Sequence, residues 1–285
     1  MLPEDSPSQP VWLWPNLLSL DAPLIAVLWL HLFALSGRIH VSLIVSLTLG
    51  LAVWIIYAAD RLLDGLRANP LDAQSPRHRF YRKHRNVLLA ILAGVLCLTS
   101  YCCLELDPRT LLFGALMMLV MAGYFAVVHW LGPLWSWRFP KEAAVAIGFA
   151  VGTLFPALIH ARKFAAPMAA MLILFAVLCW LNLVLIEYAE WVRLHRCRKE
   201  TPHVSTLRGG KHLLVIGVLV AIVALWLMER TAFHAGRSAL LAICLSAVAL
   251  AGLGFYWRRL SMNAVRVLAD AAMLTPVFVL LFPHR

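Results

Sequence analysis

The stretch Trp54-Ile-Ile-Tyr-Ala-Ala-Asp60-Arg61-Leu-Leu-Asp64-Gly65 ends a long apolar run with two carboxylates four residues apart. On a helix this spacing stacks the two side chains one turn apart on a single face, where they can converge on one cation. The last turn of a helix carries partial negative charge and favours Lys, Arg or His, so acids there cost on the order of a few tenths of a kcal/mol unless a cation compensates. Two readings are open: a helix end salt-bridged through Arg61, or a cation or ligand site.

Working outward, the surroundings read as bilayer. Of 285 residues 62% are hydrophobic and 14% charged, with a mean hydropathy of +0.81, whereas soluble domains run at about 45–50% and about 25%. The expected fold is all-α and polytopic, with nine transmembrane spans at residues 17–35, 41–63, 87–104, 110–130, 142–160, 166–188, 212–228, 238–256 and 263–282. The chain reads as one transmembrane domain, 1–285, with an N-terminal tail over 1–15 and basic connections over 65–86 and 189–211. Eighteen of the 25 Lys and Arg residues fall in the connections 61–86, 131–141, 189–211 and 257–266, which share one side of the membrane. The positive-inside rule then makes the N-terminus cytoplasmic, and the expected location is a bacterial inner membrane. The net charge of +11 is thereby explained by topology, with no nucleic acid as partner. Residues 1–10 carry Glu4 and Asp5 and no basic n-region, so the first apolar segment is expected to be retained. Six scattered cysteines without a CxxC pair read as small apolar thiols.

Polar residues within the spans need partners. Ser19-Leu-Asp21-Ala-Pro23 reads as an ordinary helix start, with Ser19 as cap or Asp21 in the first turn. His31 reads as a hydrogen-bonded interhelical residue. Ser75-Pro76 opens a helix bearing Arg77, Arg79, Arg82, Lys83 and Arg85, interleaved with aromatic and His residues. Such a run serves topology and anionic lipid, or it clamps a phosphorylated ligand, for which the planar arginine fork is suited. Gly148 and Gly152, four apart, suggest close helix packing. A second acidic group follows in Asn182-Leu-Val-Leu-Ile-Glu187-Tyr-Ala-Glu190-Trp-Val-Arg193, where Glu187 and Glu190 share a face with Asn182 on a nearby stripe. Polar groups there are expected to face the bundle interior and to meet Asp60 and Asp64. Glu190 with Arg193, and Arg266 with Asp270, have the spacing of intrahelical ion pairs. Arg208-Gly-Gly-Lys211 lacks the rest of a phosphate-binding loop.

This pattern resembles the UbiA superfamily of intramembrane prenyltransferases. That family has nine helices, acidic motifs at the cytoplasmic ends of the second and sixth, and basic inner loops. Asp60 and Asp64 match the last two acids of its first motif, Asn-Asp-x-x-Asp-x-x-x-Asp, whose leading Asn and Asp are here Ile56 and Tyr57. Glu187 and Glu190 occupy the second motif's helix with altered spacing, and Asp21-Ala-Pro23 is similar to the family's Asp-Lys-Pro. The resemblance implies a bundle around a central cavity open to the cytoplasm, and Mg²⁺ as cofactor on Asp60, Asp64, Glu187 and Glu190. It implies a prenyl diphosphate held by Arg61, Arg77, Arg79, Arg82, Lys83, Tyr124, Arg138 and Lys141, with Asn182 and Tyr57 as further polar groups of the cavity. The implied activity is transfer of an isoprenyl group to an aromatic or lipid-soluble acceptor. The alternatives are a UbiA-type terpene cyclase and a UbiA-like membrane protein that binds a phosphorylated lipid or supports a partner without transfer. A transporter is disfavoured by the absence of paired broken helices or an internal repeat in the sequence pattern.

Overall fold

The structure, a computed structural model, describes residues 10–67, 76–127, 140–160, 166–194 and 202–281. In chain order the helices are α1 (Trp14–Leu17), α2 (Asp21–Gly37), α3 (Leu43–Arg67), α4 (Pro76–Lys83), α5 (Arg85–Leu104), α6 (Pro108–Ala126), α7 (Lys141–His160), α8 (Ala166–Leu194), α9 (Val204–Lys211), α10 (Leu213–Met228), α11 (Arg237–Tyr256), α12 (Met262–Ala272) and α13 (Pro276–Leu281). The protein is an all-α polytopic membrane protein. Six of its helical segments are long and apolar enough to cross a bilayer, and eight are if each of two bent helix pairs counts as one span. Pro108–Tyr124 within α6 is apolar but shorter, so the described residues give six to eight spans against the nine expected.

Local chemistry sets the helix ends. Asp107 caps α6 by accepting from the backbone N–H groups of Arg109 and Thr110, with Pro108 at the first helical position. Ser261 caps α12 through the Ala264 N–H. Arg38, in the left-handed conformation at φ 52°, closes α2.

α8 packs against α7, α9, α10, α11 and α12. It buries Phe175, Leu178, Leu181, Val184 and Leu185 among residues of α2, α7, α11 and α12, and Phe175 stacks on Trp29 with ring centroids 4.4 Å apart. In lipid no hydrophobic force drives apolar helices together, so association relies on close packing. Small residues supply it between α10 and α11: a Cβ on Gly217 would lie 2.9 Å from the Ala251 Cβ. Large apolar side chains of α5, α6 and α10, such as Leu112, Leu119 and Trp226, remain exposed, as a lipid-facing surface requires. His31 meets Ser46 at 3.0 Å across α2 and α3, as expected for an interhelical histidine.

The two bends were not legible in the sequence. The segments Val11–Leu17 and Asp21–Gly37 meet at 76°, and Val204–Lys211 and Leu213–Met228 at 77°. Two bent helix pairs, each a broken span or a re-entrant loop, are therefore present, and the supposed absence of broken helices no longer counts against a transporter. The first break carries no glycine or proline. Ser19, fully buried, adopts φ 57°, a conformation that costs a non-glycine residue about 1–2 kcal/mol. It is held by tertiary bonds: Ser19 Oγ accepts from Arg61 Nη1 at 2.6 Å and lies 2.7 Å from the Tyr81 hydroxyl, while Arg61 also donates to the Asn16 carbonyl. Ser19 is thus a brace at the bend in place of the expected cap.

Candidate functional site

Length alone carries the acidic ends of α3 and α8 to a membrane face. α8, with 29 residues, spans about 43 Å, against a hydrocarbon core of about 30 Å. Glu187 and Glu190 lie in its last two turns, beyond the most apolar part of the helix. Asp60 and Asp64 stand likewise near the end of the 25-residue α3.

The two acidic elements meet. A pocket of about 290 Å³ is lined by Tyr57, Asp60 and Arg61 of α3, Tyr124 of α6, Lys141 and Glu142 of α7, and Asn182, Glu187 and Glu190 of α8. Asn16, Asp21, Arg266 and Asp270 complete its polar wall. Lys141 Nζ lies 3.7 Å from Glu187 Oε1 and 3.8 Å from Glu142 Oε1. Arg266 Nη2 donates to Glu190 Oε2 at 2.7 Å. This ion pair joins α12 to α8, whereas the sequence pattern had set Arg266 with Asp270 and Glu190 with Arg193. Arg193 donates instead to the carbonyls of Trp257 and Leu260.

Deeper in the wall, Asn16 Nδ2 donates to Asp21 Oδ2 at 2.7 Å and to Asp270 Oδ2 at 3.0 Å, so one amide bridges two carboxylates from opposite ends of the chain. Asn182 Nδ2 reaches Asp270 Oδ1 at 3.4 Å. Asp21 does sit in the first turn of α2, yet it also forms part of the pocket. Asn16, Glu142 and Asp270 were missed as site residues. Asp270 had a signal, since an acid inside an apolar span is expensive unless it faces polar company. Asn16 had none, because the bend at Ser19 is what points it at Asp270.

Of the remaining expected site residues, three are described and lie outside the pocket, one lines it, and three are not described or lack a described side chain. Arg79, Arg82 and Lys83 are exposed on α4 and are not among the residues lining the pocket. α4 is tied to the first bend by the Ser19–Tyr81 contact and by Phe80 packing edge-on to Trp14 at 5.9 Å. Asp64 and Arg77 are placed on α3 and α4 by their backbones, with side chains outside the described part, and Arg138 lies outside the described residues. Arg61 lines the pocket while its Nη1 braces the bend.

A second cavity, about 390 Å³ and mostly apolar, runs between α3, α5, α6 and α7. It shares Ile56, Tyr57, Met121, Val145 and Phe149 with the polar pocket, so the two adjoin. Its α3 wall extends from Val45 to Tyr57, about 18 Å of helix. Gly148 and Gly152 open this groove in place of closing a helix contact: a Cβ on Gly148 would meet Met121 Sδ at 3.6 Å, and one on Gly152 would meet nothing within 4 Å.

The donor set is hard oxygen, which suits Mg²⁺. Among the described residues no group of three or more His, Cys, Asp or Glu side chains is placed to hold a metal ion by itself. Magnesium commonly takes only one or two carboxylates and fills the rest of its octahedron with other oxygens and water, and carboxylate oxygen is the donor type that the pocket's acids offer. No family model, curated protein or solved structure matches the chain.

Proposed function

We propose that the protein is an intramembrane prenyltransferase of the UbiA type that moves an isoprenyl group from its diphosphate to a hydrophobic acceptor. In this reading α6 is the ninth span, the polar pocket is the central cavity open to the cytoplasm, and the N-terminus is cytoplasmic in a bacterial inner membrane. One observation carries the reading: a polar pocket with cations and carboxylates adjoins an apolar groove across a shared wall of Ile56, Tyr57, Met121, Val145 and Phe149. A ligand with an anionic head and a long apolar tail complements both at once.

Asp60 would hold Mg²⁺ with Asp64 and with Glu187 or Glu190, and the bound ion would offset charge on the departing diphosphate. Lys141 and Arg266 add fixed positive charge on the same wall, which counts for more in a dry site than in water. Tyr57 and Phe149, whose rings lie 6.4 Å apart, edge to face, stand where head and tail would join. Their π faces favour positive charge on the allylic carbon, and the apolar wall keeps water from capturing it.

The test is pyrophosphate release by the purified protein from prenyl diphosphates of graded length, with and without Mg²⁺. The expected result is Mg²⁺-dependent release that disappears in Asp60→Ala/Asp64→Ala; release retained in that variant would sink the site assignment. A second reading, a lipid-diphosphate binder without transfer, is favoured by Ile56 and Tyr57, which supply neither carboxylate nor amide where the family's motif has Asn and Asp. Tight binding without turnover would select it.

A further inference from the structure

Beyond Glu190, at the end of α8, arginines from two elements gather on one aromatic ring. Arg193 Nη2 donates to the carbonyls of Trp257 and Leu260, which fixes the guanidinium through one nitrogen and leaves the rest of its planar fork available. The guanidinium carbons of Arg193 and Arg258 stand 5.7 Å and 5.5 Å from the centre of the Trp257 ring. Arg259 stands 5.9 Å from that of Tyr256. All three arginines are exposed, and among the described residues no carboxylate forms an ion pair with any of them. Like charges held this close repel one another, so an anion between them is favoured.

The surface leading to these arginines is apolar and carries a notch. Leu245, Val248, Gly252, Phe255 and Arg259 follow one another at spacings of three and four along α11 and the short turn Trp257–Arg259 that continues it, which places them on one stripe. Leu245, Val248 and Phe255 are exposed, Phe255 by 65%, and a Cβ on Gly252 would meet nothing within 4 Å. From Leu245 to Phe255 the stripe runs about 15 Å, the depth of one leaflet in a hydrocarbon core of about 30 Å.

We infer that this surface is a binding site for an anionic phospholipid, with its phosphate held by Arg193, Arg258 and Arg259 and one acyl chain laid along the stripe over Gly252. Charge and length both select this occupant. A zwitterionic lipid matches the length but cancels the charge, and a free phosphate matches the charge but leaves the stripe uncovered. The planar guanidinium is the side chain suited to phosphate oxygens. The site also braces a joint: Arg193 ties the end of α8, which carries Glu187 and Glu190, to the turn before α12, which carries Arg266 and Asp270. None of the three arginines lines the polar pocket, so the lipid site is independent of the prenyl-transfer reading.

The test uses the purified full chain, with phosphatidylglycerol and phosphatidylcholine of the same acyl chains as probes and native mass spectrometry to count the lipid retained. The parent should retain phosphatidylglycerol in preference. Arg258→Gln/Arg259→Gln should lower that preference by about 30-fold, which is two arginines at about 1 kcal/mol each. Arg79→Gln/Arg82→Gln, which removes two exposed cations from α4, should leave it unchanged. An equal loss in both variants overturns the site, because the attraction would then belong to the basic surface as a whole. Gly252→Trp keeps all three arginines and fills the notch, so it should also lower retention, and it decides the matter if the arginine variant does not fold; retention at the parental level overturns the acyl-chain placement. In nanodiscs, phosphatidylglycerol should raise the unfolding midpoint of the parent and not that of Arg258→Gln/Arg259→Gln, and equal rises overturn the brace. A parent without preference overturns the site outright. So does displacement of the lipid by an equal concentration of inorganic phosphate, which would make the arginines a phosphate site without a tail.

Discussion

The polar pocket and the apolar groove share a wall, but they are built by opposite means. The pocket is held by directed bonds between residues far apart in sequence: Asn16 to Asp270, Arg266 to Glu190, Lys141 to Glu187 and Thr206 to Glu142 at 2.7 Å. The groove is a place where side chains are missing, opened by Gly114, Gly148 and Gly152 among Met and aliphatic residues. Removing a group should therefore damage the pocket, and adding one should damage the groove.

The comparison can be broken at several points. The largest effect is expected from Asp60→Asn, which keeps shape but removes charge; Mg²⁺-dependent pyrophosphate release should fall by about 10²-fold or more, read as initial rate. An unchanged rate would mean that charge at α3 is not what the pocket uses.

Next is Arg61→Ala. The guanidinium is buried and braces the bend through the Asn16 carbonyl and Ser19 Oγ. With hydrogen bonds to charged groups worth about 1.5–3 kcal/mol each, thermal unfolding in detergent should show a loss of about 3 kcal/mol. Little change would show that the bend stands without its brace.

Gly210→Ala tests close packing outside both cavities. A Cβ there would lie 2.1 Å from Tyr188 Cγ, so α9 must shift from α8 at a cost of about 1–3 kcal/mol, read by the same unfolding assay.

Gly152→Leu should cost little stability, because a Cβ there meets nothing within 4 Å and the residue lines the open groove, which has room for a longer side chain. It should instead shift preference toward shorter prenyl chains, measured as the ratio of rates for two donor lengths. An unchanged ratio would remove the tail from the groove.

The smallest effect is at Asp107, at the far end of the groove. Hydrogen bonds, first from the Thr110 hydroxyl and then from its N–H, hold this carboxyl below its ordinary value, with His160 adding to the lowering. A depressed folded-state pKa contributes stability above the unfolded value, about 3.9, and loses it as pH falls through the folded value. The stability gap between parent and Asp107→Ala should hold from neutral pH to about pH 5 and narrow below about pH 4. The measurement is a pH series of unfolding midpoints, and a gap independent of pH would contradict the assignment.

Some of this was readable from particular residues. The apolar runs located the helices: the expected span over 87–104 is Arg85–Leu104, and that over 142–160 is Lys141–His160. The acids of α3 and α8 were expected to face inward and meet; Asp60, Glu187 and Glu190 do line one pocket, while the Asp64 side chain is outside the described part. The basic run of α4 was left open between a topological or lipid-facing role and a ligand clamp, since charge pattern along a helix does not say what the helix faces; Arg79, Arg82 and Lys83 are exposed and do not line the pocket. Gly148 and Gly152 were read as packing for a similar reason: glycine allows close approach, but only a neighbour decides whether approach occurs.

The sequence by itself determined an all-α membrane protein and the acidic ends of two helices, because hydropathy and helical period act locally along the chain. Only the tertiary structure decided the partners. Asn16 reaches Asp270 across 254 positions because the chain turns at Ser19, and that turn depends on Arg61 and Tyr81 from other helices. A bond between distant residues leaves no periodic trace, so the inner carboxylate pair became visible only once the chain had folded.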